Sequence, residues 1–116
     1  MFTEIATIDN LRSLGNASIG ASFTAVGSRT PHPTRLICFT NNTDGDMFFS
    51  DDGVNNKLFV AKGSFKLFDI TTNRDNNSVQ FSFLANTQFY VAYATMPSTG
   101  SVYIEVIYGQ PYSTKV

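Results

Sequence analysis

The sequence predicts an all-β fold, a single antiparallel β-sandwich or jelly roll of about eight strands with an N-terminal arm. The clearest signal is the segment 100–109, in which Val102, Ile104 and Val106 occupy alternate positions between two glycines. This is the period of a β-strand with one buried face, where β-branched side chains pack well. Similar short segments recur about every ten residues, with turn residues between them and no helical core segment. That spacing is typical of a sandwich, a jelly roll or a small barrel.

Residues 1–20 are predicted to form an N-terminal arm or short helix that precedes the β-sandwich domain at 21–116. Apolar residues at helical spacing predict a turn or two of helix over 7–14, with Ile8, Leu11 and Leu14 on one face. A helix this short is marginal by itself in water. The segment therefore either docks on the domain or extends to a neighbouring subunit, and the large apolar residues on a terminus favour the arm.

Eight strands follow in the domain, each bounded by residues that favour turns. They are predicted at 21–26, 35–40, 47–50, 57–61, 64–70, 78–84, 87–93 and 100–109. Asp44-Gly45 is a strong hairpin signal, because both residues tolerate the left-handed backbone of tight turns. Pro31 and Pro33 interrupt regular secondary structure before the second strand.

Length and composition fit one domain with one core. The chain has 116 residues, of which 42% are apolar and 15% charged, and its net charge is −1. This balance gives no electrostatic attraction to nucleic acid or to an anionic membrane, so neither is expected as a partner. Low charge with abundant Asn, Ser and Thr favours contact with other protein surfaces. The sequence predicts no secretory signal and no membrane-spanning segment, so assembly in a cytoplasm is expected.

The single cysteine, Cys38, excludes an internal disulfide. It lies in the apolar run Leu36-Ile37-Cys38-Phe39, which predicts a buried, small hydrophobic side chain. No histidine or cluster of basic residues lies nearby in sequence to activate its thiol.

Two neighbouring turns carry four aspartates that suggest a calcium site, namely Asp44, Asp46, Asp51 and Asp52. An EF-hand loop starting at Asn42 would need glycine where the chain has Met47 and glutamate where it has Gly53. The motif fails, and turns that use aspartate for local hydrogen bonds are the better interpretation. A calcium site of another kind across the two turns is the alternative.

The sequence carries no constellation of residues that predicts catalysis. His32 is the only histidine, it lies between two prolines, and no Gly-x-Ser-x-Gly elbow accompanies it. Glu105 with Asp69 would form a carboxylate pair for glycoside hydrolysis only if a cleft brought them together, whereas solvent or a subunit contact is the more usual place for Glu105. We therefore predict a protein that is not an enzyme and has no cofactor, no metal and no small-molecule substrate.

Apolar residues lie on both faces of several predicted strands. Phe48 and Phe49 are adjacent and must point to opposite faces of their strand. This is more apolar surface than one small sandwich can bury, and the excess predicts contacts with other subunits. The residues predicted at these interfaces are Phe2, Ile5, Ile8, Leu11, Leu14, Phe48, Phe68, Tyr103 and Ile107.

Several turn and strand motifs follow one another in the last two-thirds or so of the chain. They are a strand ending in an Asn/Asp turn at 35–44, Ser-Asp-Asp-Gly at 50–53, Ala-x-Gly-Ser at 61–64 and Gly-Ser-Val-Tyr at 100–103. In this succession the chain resembles small β-sandwich virion proteins of tailed bacteriophages. The resemblance implies a structural protein of the virion, assembled in the host cytoplasm.

The role implied by this resemblance is that of a capsid cement or decoration protein that stabilises the particle by bridging neighbouring subunits. Its expected partners are further copies of itself and the major capsid protein or other virion proteins. The alternative is a neck or tail structural protein, or a carbohydrate- or receptor-binding module in which Tyr103, Tyr108 and Tyr112 stack on sugar rings.

Overall fold

The computed structural model describes residues 2–69 and 85–113, and the side chains of residues 6–69 and 85–109. Within these ranges the strands are β1 (Phe2–Ile8), β2 (Arg12–Gly15), β3 (Thr24–Ala25), β4 (Thr34–Thr43), β5 (Met47–Ser50), β6 (Leu58–Val60), β7 (Ser64–Asp69), β8 (Tyr90–Tyr93) and β9 (Gly100–Ser113). A short 3₁₀ turn at Asn16–Ser18 is the one helical element of this part of the chain, and it is far too short to cross a membrane. The strand predicted at 78–84 lies outside the described residues.

The strands form two antiparallel sheets that pack on each other. The larger sheet has the order β1-β9-β4-β7, and β2 pairs with a second stretch of β9. The smaller sheet has the order β3-β8-β5-β6. The prediction of an all-β fold with packed antiparallel sheets is therefore confirmed, and the arrangement is compatible with a β-sandwich.

Strand β9 is the centre of the larger sheet. Its 14 residues pair with β4 along one side and with β1 and β2 along the other. Val102, Ile104 and Val106 are buried in the core, whereas Glu105 is exposed on the opposite face. The alternation read from the sequence at 100–109 is therefore the alternation of this strand.

The core between the sheets is built around Phe39 on β4. The centroid of its ring lies 5.2 Å from that of Phe49, 5.5 Å from that of Phe89 and 6.1 Å from that of Phe68. These tilted and edge-on arrangements are the ones that aromatic quadrupoles favour. Phe39, Phe49 and Phe89 are at most 2% exposed, so they form the interior of the fold.

The helix predicted over 7–14 is wrong, because this segment pairs as strands with β9. Ile8 lies opposite Ile107, and Leu14 lies opposite Val102. A helix of one or two turns has marginal stability in isolation, whereas the edge of β9 offers the segment a ladder of backbone hydrogen bonds. The segment docks on the domain, which is the first of the two alternatives for the N-terminus.

Arg12 on β2 joins this N-terminal segment to the loop that follows β3. Its side chain is only 3% exposed and donates from Nε to the carbonyl oxygen of Ser28 at 2.7 Å and from Nη2 to that of Arg29 at 3.2 Å. Nη2 also forms an ion pair with Asp9 at 2.9 Å, and Nη1 donates to the carbonyl oxygen of Asn10 at 3.1 Å. A buried guanidinium with these partners is well satisfied, so residues 9–15 belong to the packed domain.

Candidate interaction surface

The larger sheet has an apolar face that points away from the smaller sheet. Inward positions on β4 are taken by Ile37 and Phe39, so the alternate positions face outward. We define the outer apolar face by its apolar side chains on four strands, which are Ile8, Leu36, Cys38, Phe65, Leu67, Tyr103 and Ile107.

Strand pairing arranges these side chains in three parallel rows. In the first row, Ile8, Ile107 and Leu36 lie opposite one another on β1, β9 and β4, followed by Asp69 on β7. Side chains directly opposite on neighbouring strands have Cβ atoms about 5 Å apart and touch one another. The first row is therefore an apolar stripe that crosses the sheet and ends at a carboxylate.

The second and third rows lie beside the first. Leu67, Cys38 and Glu105 form the second row, on β7, β4 and β9. The third row has Phe65, Thr40 and Tyr103 on the same strands, and Ser13 on β2 extends it. The face thus combines apolar side chains with two carboxylates, those of Asp69 and Glu105, and a line of hydroxyl groups.

The apolar members of this face are unusually exposed for their type. Ile8, Phe65 and Leu67 are 78%, 65% and 53% exposed, and the remaining four members are half-buried. Large apolar side chains gathered in one patch mark a site of association on a soluble protein, whereas single scattered ones do not. This surface is therefore the strongest candidate for the functional site.

Glu105 is the charged group in the middle row of the outer apolar face. It is exposed, and its neighbours along β9 are Tyr103 and Ile107, with Cys38 directly across the strand pair. Among the side chains of residues 6–69 and 85–109, no lysine or arginine forms an ion pair with Glu105. Any surface that covers this face must therefore supply Glu105 with hydrogen-bond donors or a cation.

The prediction that Cys38 is buried is wrong. Cys38 is half-buried on the outer apolar face, with Sγ 3.6 Å from the hydroxyl oxygen of Thr40. In the run 36–39 every residue is apolar, and a strand places alternate residues on opposite faces. Ile37 and Phe39 take the core side, which leaves Cys38 on the outside.

The predicted interface residues divide among several places. Ile8, Tyr103 and Ile107 come together on the outer apolar face. Leu14 and Phe68 pack against the core, and Leu11 is 60% exposed between β1 and β2. The side chains of Phe2 and Ile5 lie outside the described residues.

Sequence reasoning missed Leu36, Phe65 and Leu67 as members of this face. The alternation of β7 places Phe65 and Leu67 on one face and Phe68 on the other, but both faces are apolar. The pairing of Phe68 with the buried Ile37 decides which face is inside. Two apolar faces predict an outer contact, but without the strand pairing the sequence does not say whether Phe68 or the pair Phe65 and Leu67 supplies it.

The smaller sheet carries a second, narrower apolar site on its outer side. Phe48 lies opposite Phe59, with ring centroids 5.7 Å apart in an edge-on arrangement. Phe59 is 44% exposed and Phe48 is half-buried. The prediction that Phe48 lies outside the core agrees with this position, and Phe49 beside it is fully buried.

The aspartate carboxylates of the two turns accept hydrogen bonds from nearby backbone N–H and hydroxyl groups. Asp52 accepts hydrogen bonds from the Ser50 hydroxyl at 2.6 Å and from the N–H groups of Val54 and Asn55 at 2.8 and 2.9 Å, and these bonds keep its pKa well below the usual range. Asp46 accepts from the N–H of Lys62 at 2.9 Å. No group of three or more potential metal ligands occurs among the described residues. Local hydrogen bonding accounts for these carboxylates.

The other residues considered for catalysis or sugar binding are spread over the sheet. Glu105 and Asp69 both face outward, on strands separated by β4. The ring of His32 stacks on that of Tyr108, with centroids 4.2 Å apart and planes at 22°. His32 therefore covers one face of a ring that the sugar-binding alternative would use, and the side chain of Tyr112 lies outside the described residues.

The chain matches no protein-family model, no curated protein and no solved structure. The chemistry of its own residues is therefore the basis for assigning a role. Of the features above, the outer apolar face departs most from the surface of an isolated soluble domain.

Proposed function

We propose that this protein is a non-enzymatic structural protein whose work is association with other protein surfaces, and that it serves as a capsid cement or decoration protein of a tailed-phage virion. The exposed rows of the outer apolar face carry the proposal. The resemblance of residues from 35 onward to small phage virion proteins supports the virion as the place of action. The proposal includes a jelly-roll sandwich of about eight strands, assembly in the host cytoplasm, and other virion proteins as partners.

The exposed side chains can supply useful binding free energy. Full burial of a Phe, Leu or Ile side chain contributes about 1.5–3 kcal/mol, and Ile8, Phe65 and Leu67 are more than half exposed before binding. Each would therefore contribute about 1–2 kcal/mol when covered. Ile8 lies on β1 at one side of the sheet, and Phe65 and Leu67 lie on β7 at the other. With the half-buried residues between them they supply enough apolar surface for an interface.

The experiment that tests this role is binding to particles. Phage particles assembled without this protein, from the genome that encodes it, are mixed with the purified chain and pelleted. We expect saturable binding that raises the temperature at which the particles release their DNA. Leu67→Asp is expected to remove this stabilisation, because it places a charge in the middle row of the outer apolar face.

The matched control is Met96→Asp, which makes the same kind of change at an exposed apolar residue in the loop between β8 and β9, outside both sheets. Circular dichroism and thermal unfolding of both variants confirm that the fold is retained. Absence of binding by the wild-type chain contradicts the cement role. Binding to a glycan array that Tyr103→Ala abolishes would instead support the carbohydrate-binding alternative.

A further inference from the structure

We propose that the outer apolar face is covered by the same face of a second copy of this chain, and that the Tyr103 hydroxyl of each copy donates a hydrogen bond to the Glu105 carboxylate of the other. This inference deepens the proposed function and rests on its claim that the face binds protein.

The size of the face fits a dimer contact. The part of β9 that pairs with β4, from Gly100 to Tyr108, is about 27 Å long, and four strands side by side are about 19 Å wide. The flat area is about 500 Å² per copy, or about 1,000 Å² for the two copies together, which is the lower limit for a specific interface. Its apolar centre and polar edges, such as Ser13 and Asn42, also match the usual core and rim.

The polar groups of the face are compatible with a second copy. Glu105 needs donors when it is covered, and the adjacent row carries the hydroxyl groups of Tyr103 and Thr40. Tyr103 lies two residues from Glu105 on β9, so its side chain is in the neighbouring third row on the same strand. A shift of one row between two copies therefore brings each carboxylate over a phenol and keeps the two carboxylates apart.

A two-fold axis that lies in the interface, perpendicular to the strands and between the second and third rows, produces this shift. It places β9 on β9 and β7 on β7, with the sheets about 10 Å apart. Leu67 of one copy then packs on Phe65 of the other, and Glu105 meets Tyr103. Such an isologous contact closes on itself as a dimer.

A dimer of this kind suits a cement role. Its two smaller sheets point outward on opposite sides, each with the Phe48–Phe59 pair. One dimer can therefore engage two neighbouring sites on a particle at once, which raises the avidity of weak single contacts.

The first test is the oligomeric state of the full chain by analytical ultracentrifugation, from about 1 µM to about 100 µM. We expect a reversible dimer. Leu67→Asp should weaken it at least about 100-fold, because the change occurs twice in a symmetric interface, whereas Phe59→Asp should leave it unchanged. A monomer throughout this range, or an oligomer that Phe59→Asp dissociates and Leu67→Asp does not, overturns the inference.

The second test addresses the polar contact. Tyr103→Phe should weaken the dimer about 10-fold or more, since it leaves Glu105 covered without its donor. Adding Glu105→Leu to that variant should restore association, because it replaces the orphaned carboxylate by an apolar side chain. A dimer that is unaffected by Tyr103→Phe shows that the register is different from the one proposed.

The single cysteine reports on the same face without any substitution. Cys38 is half-buried beside Glu105, so its labelling by a maleimide should slow as the concentration rises through the dimer range. In Leu67→Asp the rate should be independent of concentration. An unchanged rate in a dimeric wild-type chain places the contact elsewhere.

Failure of this inference and failure of the cement role give different results. A wild-type monomer that binds particles in a manner sensitive to Leu67→Asp means that a capsid protein covers the face. A dimer that binds no particle supports the second copy and removes the cement role.

Discussion

The side chain of Asn41 on β4 donates a hydrogen bond to the carbonyl oxygen of Val60 on β6 at 2.9 Å, which joins the two sheets inside the core. The same amide donates to the carbonyl oxygen of Gly45 at 2.8 Å, and its oxygen accepts from the N–H and the hydroxyl of Thr43 at 3.1 and 2.6 Å. Asn41 is fully buried. A buried polar group with all its partners present fixes one arrangement of its surroundings, here the turn between β4 and β5 against β6.

Asn41→Ala is therefore expected to be strongly destabilising. The change removes all four hydrogen bonds and leaves the Val60 carbonyl oxygen and the Thr43 N–H without these partners in the core. We expect a loss of about 2–4 kcal/mol in the free energy of unfolding, measured by urea denaturation. Asn42→Ala is the control, because Asn42 is exposed and the same substitution there should cost less than about 0.5 kcal/mol.

The sequence predicted those elements whose two faces differ in polarity. On β9 one face is entirely apolar and the other is mixed, so the burial of Val102, Ile104 and Val106 follows from their spacing. On β4 and β7 both faces carry apolar residues, so the alternation of side chains alone does not show which face packs in the core. The sequence therefore predicts Cys38 in the core and does not identify Phe65 and Leu67 as an outer pair.

The N-terminal segment shows a different kind of error. Ile8, Leu11 and Leu14 have the spacing of a helix face, but the edge of β9 offers backbone partners that an isolated short helix lacks. Ile8 instead joined Ile107 on the outer apolar face, and Leu14 joined the core. Pairing between the two ends of a chain joins residues that are far apart in sequence, so a short stretch of sequence cannot predict it.

Deletion of residues 1–15 should abolish the fold. It removes β1, β2 and the buried Arg12, and it exposes the side of β9 that these strands cover. We expect loss of the cooperative thermal transition and of the β-sheet circular dichroism signal. Deletion of residues 1–6 is the control, because it removes only the part of β1 that pairs with Gly109 and the residues after it. A truncated chain lacking 1–15 that still melts cooperatively would show that the segment is dispensable.

Asp44 should contribute stability that depends on pH. Its carboxylate accepts hydrogen bonds from the hydroxyl of Ser98 and from the N–H groups of Ser98 and Thr99 at 2.7 and 3.2 Å, which lower its pKa from 3.8 to about 2. Because the pKa is lower in the folded state, the stabilisation is complete above about pH 4 and is lost as the pH falls towards about 2.

We therefore expect Asp44→Asn to lower the thermal midpoint at neutral pH and to bring the wild-type and variant midpoints together near pH 2. Ser98→Ala is the control for the hydroxyl, since it keeps both backbone contacts and should have the smaller effect. Thermal unfolding across this pH range gives the comparison. A difference between Asp44→Asn and wild type that stays constant with pH would contradict the assignment.

Gly100, the first residue of β9, should tolerate no side chain. Its φ is +87°, and a Cβ atom there would overlap the carbonyl oxygen of Asn42 and lie 3.0 Å from the Cα of Thr43, its partner on β4. Backbone atoms of a paired strand cannot move away cheaply, so Gly100→Ala is expected to cost more than about 3 kcal/mol. Gly63 has a similar φ of +69°, but a Cβ atom there would have no neighbouring atom within 4 Å. Gly63→Ala therefore measures the cost of the left-handed backbone conformation alone, which we expect to be about 1 kcal/mol. Urea unfolding of the two variants separates the contributions, and equal losses would show that close packing at Gly100 adds nothing to the cost of its backbone conformation.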